Sequence, residues 1–182
     1  MSTARQVLCL SGSLRKVSSN TSALLAAQQL APAGLALALY DGLGTLPWFN
    51  PDDESENVPD AVQALRDAVG RSDALLIACP EYAHGVPGAF KNLLDWLVGS
   101  LEFPGKRVLL LNTSARGAHH AQDALCEILR TMSARLLSPE PLGVALPGSG
   151  CSVAQILADR ERCLELRTAL GCLNAALGAC RT

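Results

Sequence analysis

Val7-Leu8-Cys9-Leu10-Ser11-Gly12-Ser13-Leu14-Arg15-Lys16-Val17-Ser18-Ser19-Asn20-Thr21 decides how the rest of this chain is read. Its apolar residues run continuously instead of alternating, so Val7 to Ser11 reads as a strand buried on both faces, the habit of parallel sheets. The chain turns at Gly12, and hydroxyl and amide side chains then crowd the start of a helix at about Ser18 to Asn20. A helix's first turn carries unpaired N–H groups and the positive end of the dipole, so the stretch reads as a phosphate cradle. Arg15 adds a fork-shaped cation; Ser11, Ser13, Ser18, Ser19, Asn20 and Thr21 bring hydroxyl or amide hydrogens for phosphate oxygens. The expected ligand is a phosphomonoester. The same residues are ordinary N-caps and an ordinary loop charge, so this stretch alone leaves the bland reading open. G-x-G-x-x-G and G-x-x-x-x-G-K-[ST] are both absent, which argues against those two phosphate loops. One rival stays in view: five residues separate Cys9 from Arg15, the spacing of a thiolate that attacks a phosphate ester clamped by arginine.

Outward from the cradle the pattern repeats. Ala23, Leu24, Ala27 and Leu30 recur at helical spacing from Thr21 to Ala31, and Pro32-Ala33-Gly34 ends that helix. Leu35 to Tyr40 is a second strand. Leu43 to Pro59 reads as a long polar loop, in which Trp48 and Phe49 suggest a binding edge or subunit contact. Asp60 to Ser72 is a helix with Val62, Leu65 and Val69 inward, and Ala74 to Cys79 is another continuous apolar strand. After the Pro80 to Gly88 loop, Ala89 to Val98 forms a helix with Phe90, Leu93, Leu94 and Leu97 inward. Arg107 to Leu111 is the fourth strand, Asn112 to Ala118 its turn, and a helix continues to about Ser133. Leu136 to Val144 contains Pro139 and Pro141, which places this fifth strand at a sheet edge. A last helix runs from about Val153 or Asp159 to Ala179.

Five strands each followed by a helix predict an α/β fold: a doubly wound parallel sheet in three α/β/α layers. With the order 2-1-3-4-5, ligands gather beyond the carboxyl ends of the first and third strands. The first, third and fourth strand-to-helix turns fall there, so one ligand can touch all three.

Composition bounds the rest. At 182 residues the chain is most simply one domain, residues 1–182, with a sizeable core. Hydrophobic residues at 49% without a membrane-length run predict a globular protein, and the early apolar run is too short for a signal-peptide core, so a cytoplasmic location is expected. A net charge of −2 without a basic block removes the electrostatic basis for nucleic-acid or anionic-membrane partners. Seven cysteines include no C-x-x-C pair, and Cys163, Cys172 and Cys180 spread over different helix faces; they read as structural.

Two motifs, taken together, resemble the NADPH-dependent FMN reductase family of flavodoxin-like enzymes, which includes quinone, azo-dye and chromate reductases. The family's G-S-L-R-x-x-S-x-N runs unbroken from Gly12 to Asn20, and P-E-Y-N-x-x-x-P-G-x-x-K-N-x-x-D-W matches at Pro80-Glu81-Tyr82, Pro87-Gly88, Lys91-Asn92 and Asp95-Trp96. The resemblance implies that Ser13, Arg15, Ser18 and Asn20 hold the phosphate of FMN. It implies further that Pro80, Glu81, Tyr82 and their neighbours Ala83, His84 and Gly85 border the isoalloxazine ring, with Ser114, Arg116 and Gly117 on the next turn. For Glu81 a structural acceptor role is weighed equally with a ligand role. Two departures stand out: Ala83 replaces the family's asparagine, and Ser114-Ala115-Arg116-Gly117-Ala118-His119-His120 replaces a Gly-rich loop.

The implied activity carries hydride from NADPH or NADH through bound FMN to a small-molecule acceptor such as a quinone, azo compound or free flavin. The resemblance further implies a homodimer or tetramer, with Trp48, Phe49 and the Phe90 to Val98 helix at the contact. Two rivals are weighed. A Cys9/Arg15 phosphatase has its nucleophile inside an apolar strand, Lys16 where a hydroxyl is usual, and no evident Asp-Pro acid segment. A signalling or scaffold protein that keeps the fold without turnover would be supported by the altered loops. His119-His120 lacks a third ligand at metal-binding spacing and is read as capping or lining the pocket.

Overall fold

The computed structural model describes residues 4–148 and 150–178. Cys180, read above as structural, lies outside them. β1 (Arg5–Ser11) lies inside the sheet, paired in parallel with β2 (Leu35–Leu39) on one side and β3 (Ala74–Ala78) on the other. β3 pairs with β4 (Arg107–Ser114), and the far edge is filled by two short strands, β5 (Arg135–Leu136) and β6 (Leu142–Leu146), both parallel to β4. The order is therefore β2-β1-β3-β4 with a divided fifth position. The expected single strand from Leu136 to Val144 is broken where Pro139 and Pro141 remove ladder donors. Its outer half instead extends β4: Asn112 pairs with Gly143 and Ser114 with Leu146, so Asn112 to Ser114 is strand, not turn.

Helices cover both faces. α1 (Ser19–Leu30), α6 (Val153–Ala158) and α7 (Arg160–Gly178) pack on one face with Val7, Cys9, Leu37 and Leu76. α3 (Asp60–Arg71), α4 (Gly88–Val98) and α5 (His119–Thr131) cover the other, over Leu8, Leu10, Leu75 and Ile77. Alternate strand residues thus feed opposite cores, which is why Val7 to Leu10 of β1 and all of β3 are apolar.

The segment expected to be one long loop holds a 3₁₀ turn (Gly42–Thr45) and α2 (Pro51–Glu56). Asn50 caps α2 by accepting from Asp52 N–H at 3.2 Å, Pro51 opens it, and Asp52, Asp53 and Glu54 fill its first turn. The last helix is also two helices. Ser152 and Gln155 form a capping box for α6, and Asp159 ends it while accepting from Glu161 and Arg162 N–H to begin α7.

Phe49 and Trp96, expected at a subunit contact, are spent inside the chain. Trp96 is fully buried and meets Phe49 edge to face at 5.0 Å. Trp96 Nε1 and Asn92 Nδ2 both donate to the Pro47 carbonyl, at 2.8 and 2.9 Å, and Asn92 Oδ1 accepts from Phe49 N–H at 2.7 Å. The Asn92 and Trp96 positions thereby fix the loop that carries Trp48, which stands 78% exposed.

Candidate functional site

β1, β3, β4 and β6 are parallel, so the turns that follow them meet at one edge of the sheet. A cavity of about 730 Å³ opens there, bordered by Ser19 and Asn20 of α1, by Cys79 to Tyr82 and His84, by Thr113 to Arg116, and by Leu146 and Gly148. Its size is that of a small-molecule or cofactor cleft.

Gly12 must be glycine for this edge to close. A Cβ on it would sit 2.5 Å from Cys79 Sγ and 3.2 Å from Cys79 Cα, so the first turn lies directly on the end of β3. Beyond it the serine hydroxyls organise the backbone. Ser13 Oγ accepts from Arg15 N–H at 3.2 Å, and Ser18 Oγ caps α1 by accepting from Thr21 N–H at 3.4 Å. Each of those hydroxyls keeps its own hydrogen to donate. Ser11 and Thr21 share a hydrogen bond of 2.8 Å, and Asn20 Oδ1 accepts from Thr113 Oγ1 at 2.9 Å, which ties α1 to β4. Ser19 is engaged elsewhere: it donates to the Gly148 carbonyl at 2.6 Å and accepts from Cys151 N–H at 2.9 Å. No acidic residue stands in the first turn of α1. This donor set, with the positive end of a 12-residue helix and no competing carboxylate, fits the phosphate of FMN.

The second turn is built differently. Tyr82 and Gly85 exchange backbone hydrogen bonds of 3.1 and 2.9 Å, closing a two-residue turn in which Ala83 and His84 have φ of 49° and 60°. That is the left-handed pair a type I′ turn requires and that asparagine and glycine satisfy most cheaply. Tyr82 stands 54% exposed at its base. Glu81 turns away from it: Oε2 accepts from Ala121 N–H at 2.9 Å, capping α5, whose own N-cap residue Ala118 has φ of 47° and supplies no side-chain cap. The acceptor role considered for Glu81 is thus filled. His84 stacks on His120, with ring centroids 4.2 Å apart, so two contacts link this turn to α5. In the third turn Ser114 Oγ accepts from Arg116 N–H at 3.2 Å, and Asn112 Nδ2 donates to the Gly117 carbonyl.

Of the residues singled out from sequence, the cavity borders bring together Ser19, Asn20, Pro80, Glu81, Tyr82, His84, Ser114 and Arg116. Ser11, Ser13, Arg15, Ser18, Thr21, Ala83, Gly85 and Gly117 stand beside it within the same turns. His119 and His120 border the cavity, as expected of a lining. Sequence reasoning missed Cys79, Thr113, Ala115, Leu146 and Gly148. Cys79 reads as the last residue of an apolar strand, Thr113 lies in a strand that runs three residues past Leu111, Ala115 is an apolar residue of the third turn, and Pro147 to Gly150 carries only a turn signal.

Cys9 is no nucleophile. It packs with Val7, Ala23 and Leu37 under α1, and burial pushes its thiol up to about 12. The phosphatase reading fails on this ground. Cys79 at the cavity floor is raised to about 12 by the same burial. Among the described residues no group of three His, Cys, Asp or Glu side chains is placed to hold a metal ion.

Comparison with known proteins agrees with this architecture. The family model described as NADPH-dependent FMN reductase matches residues 5–144. An NAD(P)H-dependent FMN reductase of Pseudomonas aeruginosa is 35% identical over 167 residues, 89% of this chain and 90% of that protein. A quinone reductase of Escherichia coli strain K12 is 34% identical over 149 residues, 79% of each chain. Among solved structures, the flavoenzyme NAD(P)H:(acceptor) oxidoreductase FerB from Paracoccus denitrificans superposes with a TM-score of 0.71 at 29% identity, covering 92% of this chain and 96% of its own. On its sequence match and its flavodoxin-like sheet, the chain belongs to the NADPH-dependent FMN reductase family.

Proposed function

We propose that the chain is an FMN-dependent NAD(P)H oxidoreductase that reduces a quinone or a similar small, planar acceptor. The observation that carries this reading is the cavity of about 730 Å³, which joins an uncontested helix N-terminus to a turn presenting an exposed tyrosine. Ser13, Arg15, Ser18 and Asn20 would hold the phosphate, and Tyr82 and the backbone from Pro80 would border the ring. Bound FMN would supply the redox chemistry, accepting hydride from the nicotinamide and passing electrons to the acceptor. The chain's own part is positional. The Ser13 and Ser18 hydroxyls, which accept backbone N–H, would donate to the phosphate, the α1 dipole would favour its charge, and the Gly12 contact with Cys79 sets how closely the first turn lies on the end of β3. Burial raises the Cys79 thiol beside the cavity and the Cys9 thiol in the core under α1, and neither is assigned a part in the chemistry.

The finer reading includes a cytoplasmic homodimer. Among the described residues no helix is long and apolar enough to cross a membrane. Trp48, exposed on a loop held by Asn92 and Trp96, is a rigid apolar anchor of the kind that dominates interfaces. Analytical ultracentrifugation of Trp48→Glu against the unaltered chain tests it, a monomer being expected of the variant.

The reductase reading is tested by adding FMN to the purified protein, removing the excess, and adding NADPH without oxygen. A retained visible spectrum that bleaches is expected. Retention without bleaching favours a binder that lacks turnover, and no retention refutes the cofactor assignment.

A further inference from the structure

All three histidines of the chain, His84, His119 and His120, border the one cavity. His84 and His120 lie 18° from parallel with centroids 4.2 Å apart, and His119 lies 4.2 Å from His120 at 38°. The stacking gathers the three rings into one cluster on the cavity border. An imidazole carries at least one N–H donor in either protonation state. Arg116 borders the same cavity and adds a guanidinium fork. Glu81 is the one carboxylate among the described bordering residues, and its Oε2 is occupied by Ala121 N–H. The rim formed by the second and third turns therefore offers imidazole donors and the Arg116 guanidinium, with Glu81 held toward α5 through Oε2. Arg116, His119 and His120 lie in the stretch that replaces the family's Gly-rich loop, and His84 follows the substituted Ala83. A rim of this chemistry suits an oxyanion group such as a phosphate, sulfonate or carboxylate.

We propose that Arg116, His84, His119 and His120 form a second anion subsite, apart from the cradle, which holds the ribose 2′-phosphate of NADPH and sets a preference for NADPH over NADH. The proposal rests on the reductase reading above. The 2′-phosphate is the group by which the two nucleotides differ, so a donor cluster that binds it appears as a ratio of affinities and not as a change in overall binding. An anionic substituent on the acceptor would share this chemistry, and the experiment separates the two.

The full chain loaded with FMN is titrated calorimetrically with NADP⁺ and with NAD⁺, and the titrations are repeated on the variants His119→Ala/His120→Ala and Arg116→Gln. They are repeated on FMN-free chain, so that failure to retain flavin counts against the reductase reading while the subsite is still read. The unaltered chain is expected to bind NADP⁺ about tenfold or more tightly than NAD⁺, with each variant moving that ratio toward unity. Unequal affinities that the variants leave unchanged overturn the proposal, as does a wild-type ratio of one. A parallel titration compares anthraquinone-2-sulfonate with unsubstituted anthraquinone. A loss confined to the sulfonate, with the nucleotide ratio unmoved, assigns the rim to the acceptor and overturns its nucleotide role.

Discussion

The first turn and the second turn border one cavity but are held in opposite ways. From Gly12 to Ser18 no residue has a positive φ; Gly12 N–H donates to the Ala78 carbonyl at 2.9 Å, and hydroxyls of Ser11, Ser13 and Ser18 accept from backbone N–H groups two or three residues on. The second turn holds Ala83 and His84 in left-handed conformations, and the helix it leans on begins with a third, Ala118. Its support comes from far along the chain, through Glu81 to Ala121 and His84 to His120. A relaxed turn suits an invariant phosphate. A strained turn held by remote contacts suits the side of the site where the partner varies, because each contact can be altered without unmaking the strand beneath it.

The comparison is broken most severely at Gly12, where the two turns touch. Gly12→Val places carbon against both the thiol and the backbone of Cys79, so the first turn must lift from β3. The expected cost is about 3 kcal/mol in a urea titration, with loss of FMN retention. Adding Cys79→Ala should recover only part of it, since Cys79 Cα would still lie 3.2 Å from the new Cβ.

The next effect falls on two buried thiols, Cys79 beside the cavity and Cys9 in the core under α1. Burial raises Cys9 and Cys79 to about 12, against a model-peptide value near 9 in the unfolded chain. A thiol whose pKa is raised on folding holds its proton more tightly in the native state. Its contribution is full below about pH 8.5 and is lost as pH rises through the unfolded value toward about 12. By about pH 10 the two together should lower unfolding free energy by about 2 to 3 kcal/mol. Denaturant midpoints measured from pH 8 to 10 should show a shallower fall in Cys9→Ala than in the unaltered chain, and an unchanged slope would mean that the Cys9 thiol is not one of its sources.

A smaller effect separates the turns. Glu81→Ala leaves α5 without a cap, because Ala118 supplies none, and should cost about 1 to 2 kcal/mol. Ser13→Ala, which removes a hydroxyl acceptor in an exposed turn, should cost less than that while weakening FMN binding more. The reverse ranking would remove the distinction between a turn built to hold a ligand and one built to hold a helix.

Much of the sheet was legible because Val7 to Leu10 and β3 are unbroken apolar runs, and the cradle because its residues are neighbours in sequence. α2 was legible too and was passed over: Asn50-Pro51-Asp52-Asp53-Glu54 is a complete helix-start signal inside what its length suggested was a loop. The division of the fifth strand was hinted at by Pro139 and Pro141, but that β6 would extend β4 to Ser114 depends on pairing across the sheet. The partner of Glu81 lies 40 residues away and was not legible at all. Nor was the meeting of His84 with His120, which sequence spacing alone places in separate turns.

Ala83 gives the finest test of the comparison, since it is a place where the chain gives up the residue its geometry favours. An alanine at φ of 49° forces Cβ toward the backbone carbonyl, a cost of about 1 to 2 kcal/mol that glycine escapes and asparagine offsets with a local hydrogen bond. Ala83→Asn should therefore stabilise the chain by about 0.5 to 1 kcal/mol, read as a higher denaturant midpoint at unchanged slope. Ala83→Gly should gain less, because the unfolded chain becomes more flexible as the folded strain is relieved. If the strain is local to the turn, both gains persist in a His120→Ala background. If the stack with His84 is what holds the turn in its left-handed form, removing His120 should let the alanine turn relax and shrink the gain from asparagine. The two outcomes distinguish a turn strained by its own sequence from one strained by the helix it leans on.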